Sequence, residues 1–339
     1  MSLRIRALEE RDLEALFALA STANFLNLPR DKAQLKRILE HSLASFREEL
    51  PSEESRYVFV AEDMAQGRLV GTSSIVGQHG TDEEPHIFFS VMTRRKQSQT
   101  LHVGFIHQVL NLTFDFNGPT ELGALVLLPD YRGKGLGKPL SVSRMLYIRR
   151  KRKRFKDNLL CELLPPFAEN GDSLLWEELG RKFTNMSYHE ADLMSRKNKE
   201  FITSLFPEGV IYTCMLSSEA RATIGQVGPS TLGVKAILES NGFRYKNMID
   251  PFDGGPHYWA ETDQVRAIRE CQCLKLAPIE ERKIEKSSPK ALIMSLHDEK
   301  PIFISTRSYR VVDGQLLLTE DQMSLLESKS GDEVDFLVL

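Results

Sequence analysis

The 339-residue sequence is poor in several features, and each absence narrows its reading. No apolar run approaches the ~20 residues that a bilayer-crossing helix needs, so no membrane passage is expected. The start, Met1-Ser2-Leu3-Arg4-Ile5-Arg6, lacks the apolar core of a secretory leader. Cysteine is scarce: Cys161, Cys214, Cys271 and Cys273 form no disulfide framework. Cys271 and Cys273 sit too close together for the paired Cys-x-x-Cys clusters of structural zinc. Reduced thiols, a cytoplasmic setting and no metal are therefore the expectations. A basic excess is also missing, with 44 Lys and Arg against 47 Asp and Glu and a net charge of −3. That argues against a dedicated nucleic-acid binder. Internal repeats and low-complexity tracts are absent as well.

The patterning that is present reads as a mixture of strands and helices. Residues 3–7 alternate like a half-buried strand. Leu13, Leu16, Phe17 and Ala20 recur at helical spacing, as do Leu35, Ile38, Leu39 and Phe46. Strands over 57–61 and 69–76, joined at Gln66-Gly67, predict a hairpin. A loop at 78–85 precedes a strand at 87–91. The run 121–128 is a strand leading into a helix from about 135 to 156, and 159–163 is the next strand. This strand–helix–strand unit predicts parallel pairing at the centre of a sheet. A short helix around Val234, Ile237 and Leu238 is capped by Ser230 and stopped by Asn241-Gly242, with a strand at 243–245. Beyond a charged linker at 278–290, short strands at 292–294, 302–305, 316–318 and 334–339 predict a small β-rich domain.

The most informative stretch is Leu128-Pro129-Asp130-Tyr131-Arg132-Gly133-Lys134-Gly135-Leu136-Gly137-Lys138, between a strand and a helix. Glycines at alternate positions let the backbone turn sharply and let a ligand approach main-chain N–H groups. Those groups, with the positive end of the helix dipole, favour an anion such as phosphate. Pro139 in the first helical turn does little harm. A Walker loop is excluded because Pro139 stands after Lys138 where Ser or Thr is needed, and the spacing is not the Gly-x-Gly-x-x-Gly of a dinucleotide site.

Arg132, Gly135 and Gly137, read as Arg-x-x-Gly-x-Gly after a strand, resemble the acyl-CoA loop of the GCN5-related N-acetyltransferase (GNAT) superfamily. The resemblance implies an α/β (α+β) fold with a central mixed, twisted sheet. It also implies that Arg132, Gly133, Lys134, Gly135 and Gly137 hold the coenzyme A diphosphate. In that fold the preceding strand is splayed, and its backbone binds the pantetheine arm and acyl carbonyl; here that strand is Leu125, Val126 and Leu127. Longer segments narrow the likeness. Leu50-Pro51-Ser52-Glu53 with Tyr57-Val58-Phe59-Val60, Trp176-Glu177-Glu178-Leu179-Gly180, Glu190-Ala191-Asp192, Ile224-Gly225-Gln226-Val227, Gly242-Phe243-Arg244-Tyr245 and Asp253-Gly254-Gly255-Pro256 resemble the bacterial arginine N-succinyltransferases. The resemblance implies transfer of succinyl from succinyl-CoA to the α-amino group of L-arginine in arginine catabolism. Leu125 falls where that family binds succinyl-CoA. A homo- or hetero-oligomer with a homologous subunit is implied too, with neither membrane nor nucleic acid as partner.

Three departures from the family pattern stand out. The family has a histidine, thought to be a proton donor, after Ile-Gly-Gln-Val; here the residue is Gly228, followed by Pro229. Paired glycines near the N-terminal Leu-Pro are replaced by Ala23-Asn24-Phe25-Leu26-Asn27, and a Met-Arg-Gly stretch by Leu163-Leu164-Pro165-Pro166. No catalytic residue is assigned. His257 is the substitute candidate, since an imidazole titrates near neutrality, and His189 and Tyr212 carry less weight. Two alternatives stay open: another amine or acyl group, or a catalytically weakened CoA-binding subunit.

The basic run Arg149-Arg150-Lys151-Arg152-Lys153-Arg154 is read as the solvated end of the helix rather than a nucleic-acid patch. Glu121, Asp250 and Asp253 are carboxylates of the kind a guanidinium pairs with, and none is assigned a role. The expected organisation is a GNAT-like domain over 1–277 with an insertion at about 181–229, a linker at 278–290 and the β-rich domain at 291–339.

Overall fold

Alternation at the N-terminus is realised as β1 (Leu3–Ala7), with Ile5 and Ala7 buried. The computed structural model describes residues 3–22, 29, 31–195, 198–284 and 288–339. The Ala23–Asn27 departure lies outside the described residues. In chain order the further strands are β2 (Arg56–Asp63), β3 (Arg68–Val76), β4 (His86–Ser98), β5 (Val103–Asp115), β6 (Thr120–Leu127), β7 (Asn158–Glu162), β8 (Ile211–Tyr212), β9 (Arg244–Ile249) and β10 (Pro256–Glu261). They continue with β11 (Gln272–Pro278), β12 (Ala291–His297), β13 (Lys300–Thr306), β14 (Arg310–Val312), β15 (Gln315–Leu318) and β16 (Glu333–Val338). Helices α1 (Leu13–Thr22) and α2 (Lys32–Phe46) follow β1. The Asp31 side chain caps α2 by accepting from the Gln34 amide at 2.7 Å. Helix α3 (Gly137–Arg150) follows β6 and is shorter than expected, because the chain tightens into a 3₁₀ turn at Arg152–Arg154. No helix among the described residues is long and apolar enough to cross a membrane.

The chain forms two compact units, one of Met1–Gln78, Thr120–Asp157 and Glu261–Leu339, the other of His79–Pro119 and Asn158–Ala260. In the first, the strands run in the order β14-β15-β11-β16-β12-β13-β1-β2-β3-β6. β11 is parallel to β15, whereas β1–β2, β2–β3, β3–β6 and β12–β13 are antiparallel, so the sheet is mixed. Phe46, Tyr57, Phe59 and Tyr147 meet edge-on or tilted, with ring centroids 5.1–5.6 Å apart, and anchor α2 and α3 to this sheet. The expected 291–339 segment does not stand apart from the N-terminal strands. β13 hydrogen-bonds to β1 with Phe303 opposite Ile5, which gives β1 a second neighbour.

In the second unit the order is β7-β10-β9-β4-β5-β8. The strand expected at 87–91 is one arm of a long β4–β5 hairpin, and β5 was not anticipated. Its faces mix polar and apolar residues, as in His107-Gln108-Val109-Leu110-Asn111, so no clean period of two announces it. The 181–229 segment supplies the short helices Arg181–Thr184, Tyr188–Ser195, Glu200–Leu205 and Ser218–Thr223. These cover a core centred on Trp176, which stacks on Phe252 at 5.2 Å and donates its indole N–H to the Met186 carbonyl at 3.0 Å. Helix Leu232–Ser240 begins after Thr231 rather than at Ser230, because Pro229–Thr231 forms a 3₁₀ turn.

Arg6 on β1 is buried in the first unit and forks onto Asp12 at 2.7 and 2.9 Å, with Glu62 at 3.0 Å from its Nε. Burial opposes the charge, but Asp12 and Glu62 outweigh it and hold the guanidinium protonated. Asp12→Ala is expected to lower unfolding free energy by about 3–5 kcal/mol, the cost of stranding a buried charge, measured by urea denaturation. Burial raises the Glu62 carboxyl, yet the hydrogen bond and charge of Arg6 leave it lowered. A carboxyl lowered in the folded state contributes stability that is present above its unfolded value and lost as pH falls through its folded one. The melting temperature is therefore expected to fall on acidification below about pH 4, and less steeply in Glu62→Gln.

Candidate acyl-CoA and acceptor sites

The first unit carries the expected loop. Along β6 the pairing with β3 slips: Gly123 faces Ser74 and Val126 faces Thr72, so Ala124 and Leu125 lie opposite Ser73 alone. Ala124 takes φ +46°, the left-handed region, and the strand is splayed there. The bulge is held from three sides. The Thr72 hydroxyl donates to the Ala124 carbonyl at 3.1 Å, and the Ser73 hydroxyl donates to Leu140 of α3 at 3.2 Å. Arg144, fully buried on α3, donates to the Gly123 carbonyl at 3.1 Å and to the Ser141 carbonyl and hydroxyl at 3.1 and 2.9 Å.

Beyond β6 the chain makes a 3₁₀ turn at Pro129–Tyr131 and enters the glycine loop. Tyr131 anchors it by donating its hydroxyl to Asp63 at 2.7 Å, which lowers the Asp63 carboxyl. Arg68 and Lys134 lie over the Tyr131 ring at 5.4 and 5.3 Å. The Arg132 Nε donates to the Leu127 carbonyl at 3.1 Å, tying loop to strand, and Lys290 donates to the Gly135 carbonyl at 2.9 Å. Gly133 and Gly135 have φ of +72° and +71°, which explains their identity. A Cβ at Gly133 would meet nothing within 4 Å, so the constraint is conformation and not crowding. Among the described residues, the amides of Gly133, Lys134 and Gly135 donate no hydrogen bond. Arg132, Gly133, Lys134 and Gly135 are exposed, whereas Leu125, Leu127 and Gly137 are half-buried and Val126 is buried. The structure thus brings the bulge, the loop and the start of α3 into one continuous segment able to bind an anion on its backbone.

The basic run is not a solvated end. Arg149 and Arg150 clamp the buried Asp335 at 2.6 and 2.7 Å, and Arg152 holds Asp157 and Asp263 at 2.5 and 2.7 Å. Lys151 pairs with Glu48 and Glu299, and Arg154 donates to Tyr57, Leu50 and Ser55. The run ties the end of α3 to its own unit.

In the second unit two of the family-like segments, 224–227 and 253–256, meet. The Gly225 amide donates to the Gly254 carbonyl at 2.9 Å, and Asp250 accepts from the Phe252 and Asp253 amides, closing the turn before β10. A Cβ at Gly180 would lie 2.3 Å from the Trp176 ring. Two of the departures touch each other. The Gly228 amide donates to Leu164 at 2.8 Å, and a Cβ on Gly228 would lie 2.4 Å from the Pro165 carbonyl. The Thr231 hydroxyl also goes to the Leu164 carbonyl, at 3.0 Å, instead of capping its helix. A side chain at 228 would therefore force the 163–166 segment to shift.

His257 is fully buried on β10, and its Nε2 lies 3.3 Å from Glu162 Oε1. His86 and His79 approach the same oxygen at 3.6 and 3.8 Å. Burial raises the Glu162 carboxyl, but His257, His86 and His79 hold it well below the usual range. Asp250 is pushed up to about 7 by burial and by the charge of Glu162, and burial with Asp250 raises Asp253. Sequence reasoning named His257, Asp250 and Asp253 but missed His79, His86 and Glu162. These residues come from separated segments, and no local spacing links them. His189 is exposed beside Asp172 at 3.7 Å, Tyr212 stands on the edge strand β8, and Glu121 lies on β6 in the first unit.

A mixed sheet, a splayed strand and a glycine loop opening a helix define an α/β acyltransferase fold of the GCN5-related kind. The family model described as arginine N-succinyltransferase beta subunit matches residues 3–267. An arginine N-succinyltransferase of Citrobacter koseri is 37% identical over 336 residues, covering 97% of this chain and 96% of that one. One from Escherichia coli is 35% identical over 333 residues, with the same coverage of both chains. The solved structure of arginine/ornithine succinyltransferase subunit AI from Pseudomonas aeruginosa superposes with a TM-score of 0.87 at 27% identity, covering 99% of this chain and 98% of that one. The chain belongs to the arginine N-succinyltransferase family.

Arg144→Leu is expected to relax the bulge and weaken CoA binding about tenfold, as loss of a charged hydrogen bond implies, measured by calorimetric titration. Gly228→Ala is expected to destabilise the fold by about 1–3 kcal/mol through overpacking, read as a fall in the urea midpoint. Gly228→His is expected to be at least as disruptive and to yield no gain in activity.

Proposed function

We propose that the chain transfers the succinyl group of succinyl-CoA to the α-amino group of L-arginine, a step of arginine catabolism in the cytoplasm. The observation that carries the reading is the bulge, glycine loop and helix start, carried by a chain aligned nearly end to end with relatives named for that reaction. In this assignment the backbone of Gly133, Lys134, Gly135 and Gly137, with the Arg132 and Lys134 side chains, holds the CoA diphosphate. The splayed segment Leu125, Val126 and Leu127 receives the pantetheine arm and orients the acyl carbonyl. The neutral amine nitrogen then bonds to the thioester carbon, the carbon–sulfur bond breaks, and CoA leaves as the thiol once the amine's proton has been transferred. Backbone donors at the bulge are suited to the developing oxyanion. Gly228 has no proton to give, so that step falls to another group or to solvent; a general acid typically contributes ~10²–10⁴-fold.

The packing of Gly228 against Pro165 favours a second reading: a different amine, or a CoA-binding subunit of weakened activity working beside a homologous active one. The solved relative's description as a subunit supports an oligomeric setting. Release of free CoA thiol from succinyl-CoA and acetyl-CoA, each with arginine, ornithine, lysine or no acceptor, separates these readings. Arginine-dependent release from succinyl-CoA is expected. Release with another amine only, or none despite CoA binding, would overturn the arginine assignment.

A further inference from the structure

His79, His86 and Glu162 lie in the second unit with ligand-capable atoms within 4.8 Å of one another, and Glu162, Asp250 and His257 form an overlapping group. All three imidazole Nε2 atoms point to one oxygen, Glu162 Oε1, at 3.3, 3.6 and 3.8 Å. Donors about 2.0–2.1 Å from tetrahedral zinc stand roughly 3.3–3.5 Å apart, and the His86 and His79 separations from Glu162 Oε1, 3.6 and 3.8 Å, come within a few tenths of an ångström of that spacing. The rings are held rather than loose. His86 is 1% exposed and His257 0%, their rings stack at 5.2 Å, and His79 meets His86 edge-on at 4.5 Å.

The backbone is shaped to bring His79 and His86 together. The His79 amide donates to Pro119 at 2.7 Å, and Gly80 sits at φ +103° with no room for a side chain beside His86. A Cβ on Gly118 would lie 1.9 Å from the His79 carbonyl. Charge favours a cation as well. Three protonated imidazoles around one carboxylate would leave a buried excess of positive charge, which is costly. Neutral imidazoles and one carboxylate instead present a compact nitrogen–oxygen donor set.

We propose that His79, His86 and Glu162 form a binding site for a divalent first-row metal ion, zinc being the match to two nitrogens and one oxygen. His257, 3.3 Å from the same Oε1, and Asp250 flank Glu162 as outer partners of a metal-bound carboxylate do. Three protein ligands leave the fourth zinc position for water or another oxygen donor. The site does not depend on which amine accepts the acyl group.

The test uses the full chain under reducing conditions, stripped with chelator, dialysed and titrated with zinc against a chromophoric competitor, with bound metal counted by mass spectrometry. One zinc per chain is expected, with magnesium unable to compete. His79→Ala and Glu162→Gln are each expected to weaken binding at least tenfold while circular dichroism stays native. Zinc is expected to raise the melting temperature of the wild type and not of His79→Ala. The partly exposed His79 keeps the test usable if His86→Ala fails to fold, and His189→Ala, at the surface, is expected to bind as the wild type does. No zinc bound at micromolar concentration, or undiminished binding by folded His79→Ala and Glu162→Gln, would overturn the proposal.

Discussion

One extra residue in β6 organises the first unit. With Ala124 and Leu125 opposite Ser73, the β3–β6 ladder cannot close, and Ala124 is driven to positive φ. A non-glycine residue in that region costs of order 1–3 kcal/mol and persists only where its surroundings over-determine it. Here they do: Thr72 grips the Ala124 carbonyl, and a buried arginine on α3 grips the carbonyl just before it. The same helix begins directly after the glycine loop, so the contact that fixes the bulge also fixes the helix whose N-terminus faces the loop. Strain, loop and dipole are thereby coupled in a segment of under thirty residues.

The second unit is organised around a close contact between two segments remote in sequence. Gly228 and the Leu163–Pro166 segment, two places where the sequence departs from the pattern it resembles, meet in space, the glycine accepting the approach of Leu164 and Pro165 that a side chain would crowd. Each looks isolated along the chain; together they form one packed contact. Gly255, in the turn before β10, would place a Cβ 2.2 Å from the Leu163 carbonyl, so the same segment is pressed from two sides.

What was legible follows from how local each signal is. Gly133, Gly135 and Arg132 stand within a few residues of each other, so spacing pointed to the loop; β1 declared itself by alternation, and β2 and β3 by apolar runs on either side of the Gln66-Gly67 turn. The bulge was implied by resemblance rather than by pattern, since nothing in Glu121-Leu122-Gly123-Ala124-Leu125 announces a register slip. Arg144 was hidden because a charged residue within a helix is ordinarily read as exposed. β5 was hidden by its mixed faces, and the pairing of β13 with β1 by some 300 intervening residues. The basic run was misread as solvated because its carboxylate partners, Asp335 above all, are remote in sequence. His79, His86, Glu162 and His257 meet only through the folding of β4, β7 and β10, and no spacing rule reaches across three strands.

The account rests on the bulge and glycine loop being the place where coenzyme A lies. Amide hydrogen exchange, followed by mass spectrometry with and without saturating CoA, tests this directly. Slowed exchange is expected in peptides covering 123–138, because loop amides that donate to no acceptor among the described residues would donate to the diphosphate. Unchanged exchange across 123–138, with CoA bound and protection appearing elsewhere, would contradict it.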